Sequence, residues 1–241
     1  MRPLVKLLAV LPALAVLSGF GPRGAAQGSN YAADREAMVR QLKARGITDA
    51  RVLAAMSRVP REEFVPAKSR NRAYADMDLT IEEGQVLPRP YLIALMTQEL
   101  RLKPNERVLE VGTGSGYHAA VLSQITDQVF TIEIRKRLAR TAKTRLRRLG
   151  YRHVKVRCGD GYQGWAEHQP YDAIIVSCSP TAVPPPLIQQ LRVGSRMLIP
   201  LRDERGKEYL TRLEKQSSNQ LRSTAVIEVK FGPMVSEQEL K

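Results

Sequence analysis

The chain has 241 residues, 43% hydrophobic and 26% charged, which suits one globular domain with a small appendage and excludes a low-complexity or collagen-like polypeptide. Formal net charge is +14, a field that attracts anionic partners, but aromatics at 5% leave little for stacking on single-stranded nucleic acid. Cys158 and Cys178, the only cysteines, have no metal-ligand spacing, so no metal is expected.

At the start, Arg2 and Lys6 precede the apolar run "LLAVLPALAVLSGF", and Gly24 and Ala26 flank Ala25 at a small-residue exit. Residues 1–26 therefore read as a secretory signal cleaved near Ala26. The uncharged stretch from Leu7 to Pro22 is short for a membrane span, and no cysteine follows it to carry a lipid. Cleavage would remove Arg2, Lys6 and Arg23 and lower the charge to +11.

Residues 27–80 read as a helical cap and a substrate loop, and residues 81–241 as the main domain. "DREAMVRQLKARG" predicts a helix from Asp34 with Met38, Val39 and Leu42 inward and Gly46 as its stop. "TDARVLAAMSRVP" predicts a second, with Val52, Leu53 and Met56 inward and Pro60 closing it. "REEFVPAKSRNRAYADMDLTIEEGQVLPRP" has turn chemistry and little periodicity, and loops of that length are usually functional. "YLIALMTQEL" reads as an apolar helix.

From Arg107 strand and helix alternate. "RVLEVG", "QVFTIEI", "HVKVRCGDG" and "YDAIIVSCS" are strands, and "HAAVLSQI" and "RLARTAKTRLRRLG" are helices. "PPPLIQQLRVGS" reads as a short helix with a turn, and "RMLIPL" as a fifth strand. "KEYLTRLEK" and "LRSTAVIEVKF", joined by "QSSNQ", form an antiparallel hairpin. Such alternation implies a mainly parallel sheet covered on both faces, with the ligand at the strands' carboxyl ends. The densest basic stretch, Arg135 to Arg157, holds eleven Lys or Arg and no acid. It reads as a solvated helix face before it reads as a site for RNA, lipid or acidic protein.

The loop "VLEVGTGSGYHAAVL" narrows the ligand. A dinucleotide loop needs a third glycine where Tyr117 stands, and a phosphate loop needs a lysine that is absent. What remains is an acid followed by alternating glycines: Glu110, Gly112, Gly114 and Gly116. Glu133 ends the second strand, 21 residues beyond Gly112, where a carboxylate can take both ribose hydroxyls. Asp160-Gly161 ends the third, suited to an adenine amino group. Ribose and adenine without phosphate, and a positive charge near Glu110, point to S-adenosylmethionine.

With those residues in place the chain resembles the protein-L-isoaspartate O-methyltransferases, from about Asp34 to Phe231. The carrying pieces are "VPREEFVP" (59–66), "YAD" (74–76), the glycine loop, "TIE" (131–133), "GDGYQG" (159–164) and "PPPLIQQLRVGSRMLIP" (184–200). The resemblance implies an α/β, Rossmann-like class I methyltransferase fold. Its seven-stranded, mainly parallel sheet ends in an antiparallel hairpin, with strand order 3-2-1-4-5-7-6 and a helical N-terminal cap. That order separates Cys158 from Cys178 by two strands, which implies free thiols.

The implied reaction is methyl transfer from S-adenosylmethionine to the free carboxylate of L-isoaspartyl residues in damaged proteins and peptides, which initiates repair. The segment 67–90, with Asp76 and Gln85, and the tail hairpin would form the peptide pocket. The family writes its acceptor loop G-Q-T-[IV]-S-x-P, where this chain has Gly84, Gln85, Val86, Leu87, Pro88, Arg89 and Pro90. Val86 replaces a threonine, and Pro88 replaces the serine usually assigned to the active site. Two hydroxyls are lost, and proline also lacks an N–H. Arg89 is the residue expected to pair with the acceptor carboxylate instead. The alternative reading is a divergent methyltransferase or binding-only protein that keeps the cofactor. A nucleic-acid methyltransferase is disfavoured, because "SCSPTAVP" after the fourth strand lacks the residues that hold an exocyclic amine. The leader implies export, whereas the family and its cofactor supply imply the cytoplasm.

Overall fold

A computed structural model describes residues 31–240; the leader read at 1–26 and the start at 27–30 lie outside the described residues. Helix α1 (Tyr31–Ala44) begins one turn earlier than its apolar spacing suggests and buries Met38 and Leu42, while Val39 is half-buried. Helix α2 (Ala50–Arg58) opens on Asp49, whose side chain accepts from the Arg51 N–H at 2.8 Å and so satisfies one free amide of the first turn. It buries Val52, Ala55 and Met56.

The segment that reads as a long loop is built from short turns. Three 3-10 turns, Arg61–Phe64, Ala67–Arg72 and Glu82–Gly84, alternate with two paired two-residue strands, β1 (Leu79–Thr80) and β2 (Val86–Leu87). Arg61 is its buried centre, with no exposed surface. A buried cation is costly unless paired and hydrogen-bonded. Here Nε donates to the Ala73 carbonyl at 2.8 Å and Nη2 to the Pro88 carbonyl at 2.7 Å, and the guanidinium lies 4.7 Å from the centre of the Tyr117 ring. One side chain thus ties the acceptor loop to the residue that follows the glycine loop. Helix α3 (Pro90–Glu99) starts with proline at its first position, where a missing N–H costs nothing.

The main sheet follows. β3 (Val108–Val111), β4 (Val129–Glu133), β5 (Lys155–Cys158) and β6 (Tyr171–Val176) are parallel, as is β7 (Leu191–Arg202) on β6. α4 (Tyr117–Leu122), α5 (Lys136–Arg148) and α6 (Pro185–Gln190) connect them. β3 is buried at every position and β4 likewise, the burial expected of parallel strands covered on both faces. "LRVGS", read as helix and turn, belongs to β7 instead; the turn survives as an irregularity, with Gly194 at φ 81°, where Tyr171 faces Leu191 but Ala173 faces Arg196.

β8 (Glu208–Ser217) and β9 (Gln220–Glu228) complete the sheet as antiparallel strands in the order β5-β4-β3-β6-β7-β8-β9. Counted along the main sheet this is 3-2-1-4-5-6-7, which corrects the 3-2-1-4-5-7-6 order taken from the family resemblance. The cause is local. Five residues join β7 to β8 and two join β8 to β9, and connections so short force consecutive strands to be neighbours. Cys158 and Cys178 are free, with β4 and β3 between their strands.

Candidate active site

The carboxyl ends of the parallel strands open on a cavity of about 690 Å³. Gly112 follows β3, Glu133 ends β4, Gly161 follows β5, and Cys178 follows β6; all line it, with Gln85, Val86 and Pro88 from the acceptor loop. Further wall comes from Asp78, Leu92, Arg202 at the tip of β7 and the segment 230–235 after β9. The hairpin itself stays outside; its continuation supplies the wall.

Backbone demands explain the glycines. Gly112 has φ 99°, and a Cβ there would meet Ser177 at 3.4 Å. A Cβ on Gly161 would stand 2.4 Å from Val111 Cγ1, so no other residue fits without a shift. Gly114 and Gly116 also have positive φ, but they face Ile81 and Leu146 rather than the cavity. They shape the turn into α4 and let it pack on α5.

Glu133 is held ready. Its Oε2 accepts from the Gly114 N–H at 2.9 Å and its Oε1 from the Arg135 N–H at 3.0 Å, which leaves each oxygen a further lone pair for a ligand hydroxyl. Burial pushes its carboxyl upward, against the pull of the two amides. Asp160 accepts from the Tyr162 N–H at 2.8 Å and stands beside Gly161, but is not itself among the residues that line the cavity.

Glu110 is placed differently from the sequence reading. Its carboxyl is buried beneath the glycine loop, accepts from the Thr131 hydroxyl at 2.6 Å, and borders a separate space of about 30 Å³ shared with His118 and Ser115. Burial pushes it up to about 8 and His118 down to about 3, so both are neutral near pH 7 although 3.8 Å apart. Asp76 pairs with Arg45 and accepts from the Tyr91 N–H at 2.9 Å, off the cavity wall. Arg89 gives its backbone N–H to Asp78 at 2.7 Å and is likewise absent from the lining. Cys178 lines the cavity as a neutral thiol, since burial pushes it up to about 12. Among the described residues no cluster could hold a metal ion.

Sequence reasoning missed Asp78, Arg202 and Lys230. Nothing in their spacing marks them, because the fold gathers them from separate turns and strand ends.

A parallel sheet with a ligand cavity at its switch point, a glycine turn after β3 and a ribose-type carboxylate after β4 define a Rossmann-like, class I methyltransferase fold. Comparisons with known proteins sharpen this. The sequence matches the family described as Protein-L-isoaspartate(D-aspartate) O-methyltransferase over residues 33–239. It is 42% identical to Protein-L-isoaspartate O-methyltransferase 1 of Cupriavidus necator, over 98% of this chain and 93% of that one. It is 48% identical to Protein-L-isoaspartate O-methyltransferase 2 of Pelobacter propionicus, over 85% and 91%. A solved protein-L-isoaspartate O-methyltransferase superposes with a TM-score of 0.76 at 30% identity, over 83% of this chain and 65% of that longer one. The chain belongs to the protein-L-isoaspartate O-methyltransferase family. At 23% identity, a Plasmodium falciparum structure solved with S-adenosyl-L-homocysteine shares the fold, with a TM-score of 0.74 over 84% of this chain and 99% of that one.

Proposed function

We propose that this chain transfers a methyl group from S-adenosylmethionine to the free carboxylate of L-isoaspartyl residues in damaged proteins and peptides, initiating their repair. The observation that carries the reading is the cavity itself, lined by Gly112, Glu133 and Gly161 together with Gln85, Val86 and Pro88 of the acceptor loop.

The residues fit the cofactor. The two glycines bring bare backbone to the cavity wall, and Glu133 has lone pairs left for ribose hydroxyls. Asp160, beside Gly161, is the group for the adenine amine. When bound, S-adenosylmethionine supplies an electrophilic methyl on a positively charged sulfur. The protein needs no strong base, because a carboxylate with a pKa of about 4 is already ionised at neutral pH. Its task is to hold the acceptor in line and keep water out, which can contribute about 7–11 kcal/mol when geometry is well fixed. Val86 and Leu92 give the cavity apolar surface, and the neutral Cys178 thiol offers no competing nucleophile.

The test is transfer of labelled methyl from S-adenosylmethionine to paired isoaspartyl and aspartyl peptides. Transfer to the isoaspartyl peptide alone is expected. Intact cofactor binding with transfer to neither peptide overturns the reading in favour of a protein that kept its cofactor and changed its acceptor. We also propose that residues 1–26 direct export and are removed, a reading supported by the basic start, apolar run and small-residue exit. N-terminal sequencing of the natively expressed protein should find a start near Gln27; an intact Met1 overturns it.

A further inference from the structure

The order of the strand ends gives the cavity a direction. β5, β4, β3, β6 and β7 lie side by side, and Asp160, Glu133, Gly112, Cys178 and Arg202 stand at or just beyond their carboxyl ends in that order. Neighbouring strands are about 4.8 Å apart, so three spacings put the tip of β7 about 14 Å along the row from the tip of β4. A nucleoside held at the β4–β5 end therefore leaves the β6–β7 end to the acceptor.

Two cations stand at that end. The side chain of Arg202 is 66% exposed and forms an ion pair with Glu208, Nε 3.7 Å from Oε2, too long for a hydrogen bond. Lys230 follows β9, is exposed, and has no acidic partner among the described residues. Both line the cavity. The acids that line it are already engaged: Asp78 accepts from the Arg89 N–H, and Glu133 from Gly114 and Arg135.

The pair is mounted on a fixed frame. Glu208 is only 8% exposed; its carboxylate accepts from the Phe231 N–H and the Ser179 hydroxyl, each at 2.7 Å. Its backbone carbonyl accepts from the Val229 N–H at 2.9 Å. One buried residue thus anchors the chain on both sides of Lys230, fastens it to the segment after β6 and stands opposite Arg202 across the β7–β8 pair.

We propose that Arg202 and Lys230 form the carboxylate-binding end of the acceptor subsite, drawing the free carboxylate of the isoaspartyl residue into the cavity and making up for the hydroxyls absent at Val86 and Pro88. The inference rests on the isoaspartyl reading. The arginine fork can take a carboxylate through two parallel N–H bonds, and the lysine adds a point charge. The amino-acid end of the cofactor carries the same anion, so the test has to separate the two sources.

Full-length Arg202→Gln, Lys230→Gln and the double variant would be titrated by calorimetry with S-adenosylhomocysteine alone, then with an isoaspartyl peptide in its presence, and assayed for methyl transfer. The double variant should weaken peptide binding by about tenfold or more and raise the peptide KM in step, with kcat nearly kept. Affinity for S-adenosylhomocysteine should stay within about twofold, and Arg202→Lys should recover part of the loss. Unchanged peptide affinity overturns the proposal. So does a parallel fall in S-adenosylhomocysteine affinity, which would assign the pair to the cofactor. Wild-type protein that binds the isoaspartyl peptide without transferring methyl fails the activity reading alone, and the binding series still decides the pair. Wild-type protein that does not bind the peptide overturns both.

Discussion

The two ends of the cavity are made by different means. At the β4–β5 end the ligand surface is mostly backbone: glycines that admit no side chain, and a carboxylate clamped by two amides. At the β6–β7 end it is mostly side chain, carried on a strand tip and a tail segment, while the β1–β2 turn reaches toward β4 through the Glu83–Arg135 pair. A surface made of backbone tolerates little change, because a Cβ at Gly161 collides with Val111 and Gly112 holds a φ of 99° that other residues rarely adopt. A surface made of side chains can be rewritten, as the family resemblance implies for Val86 and Pro88.

The sharpest way to break that contrast is Arg61→Ala. Removing a buried cation strands the Ala73 and Pro88 carbonyls and leaves a hole beside Tyr117. The cost should be about 3–5 kcal/mol, read as a lower midpoint in urea unfolding. In protein that remains folded, peptide KM should rise more than cofactor affinity falls; an equal loss at both ends would show that the ends are not separable.

Next is Glu133→Gln. An amide there keeps the size but gives up charge-assisted hydrogen bonds, at about 1.5–3 kcal/mol, so S-adenosylhomocysteine affinity should fall by about tenfold to a hundredfold in calorimetry. Peptide KM at saturating cofactor should hold. A smaller effect is expected from Pro88→Ser, which restores one hydroxyl while retaining the carbonyl that Arg61 holds. One such bond should raise kcat/KM by up to about tenfold. No gain would mean that the acceptor carboxylate is already fully held at Arg202 and Lys230.

The smallest effect is one of pH. Glu110 titrates at about 8 in the folded chain against an ordinary 4.5, so the folded state keeps a proton that the unfolded state releases. Its contribution is complete below the ordinary value and is lost as pH rises through 8. His118 works in the other direction: burial holds it at about 3, below an ordinary 6.5, so its contribution is lost as pH falls toward 3. Glu110→Gln should therefore flatten the decline in Tm from about pH 6.5 to pH 8.5, a window that avoids His118. Parallel wild-type and variant curves would show that Glu110 ionises freely.

The backbone-made end was the legible one. Glycines at fixed offsets after an apolar strand, and an acid at the end of the next, are local signals that survive in one dimension. Gly112, Glu133 and Gly161 reach the cavity as their spacing suggests, whereas Glu110 turns beneath the loop because its side of β3 faces Thr131 and His118. The acceptor end was less legible. The segment 67–90 could be identified, but not its partners. Arg202 and Lys230 are ordinary surface cations until β7, β8 and β9 fold as a meander and bring 202 and 230 together over Glu208. The strand order failed in the same region, where turn length decides adjacency and family precedent does not.

Glu208 has a consequence for how this protein can diversify. It grips the main chain at Val229 and Phe231 and the hydroxyl of Ser179, and forms no ion pair with the Lys230 side chain among the described residues. The position it secures is an interchangeable mount: residue 230 can carry a charge, an aromatic ring or an amide with the same backbone path beneath it. Substrate preference can then drift by single substitutions at the rim, generation after generation, while the nucleoside end remains as it was.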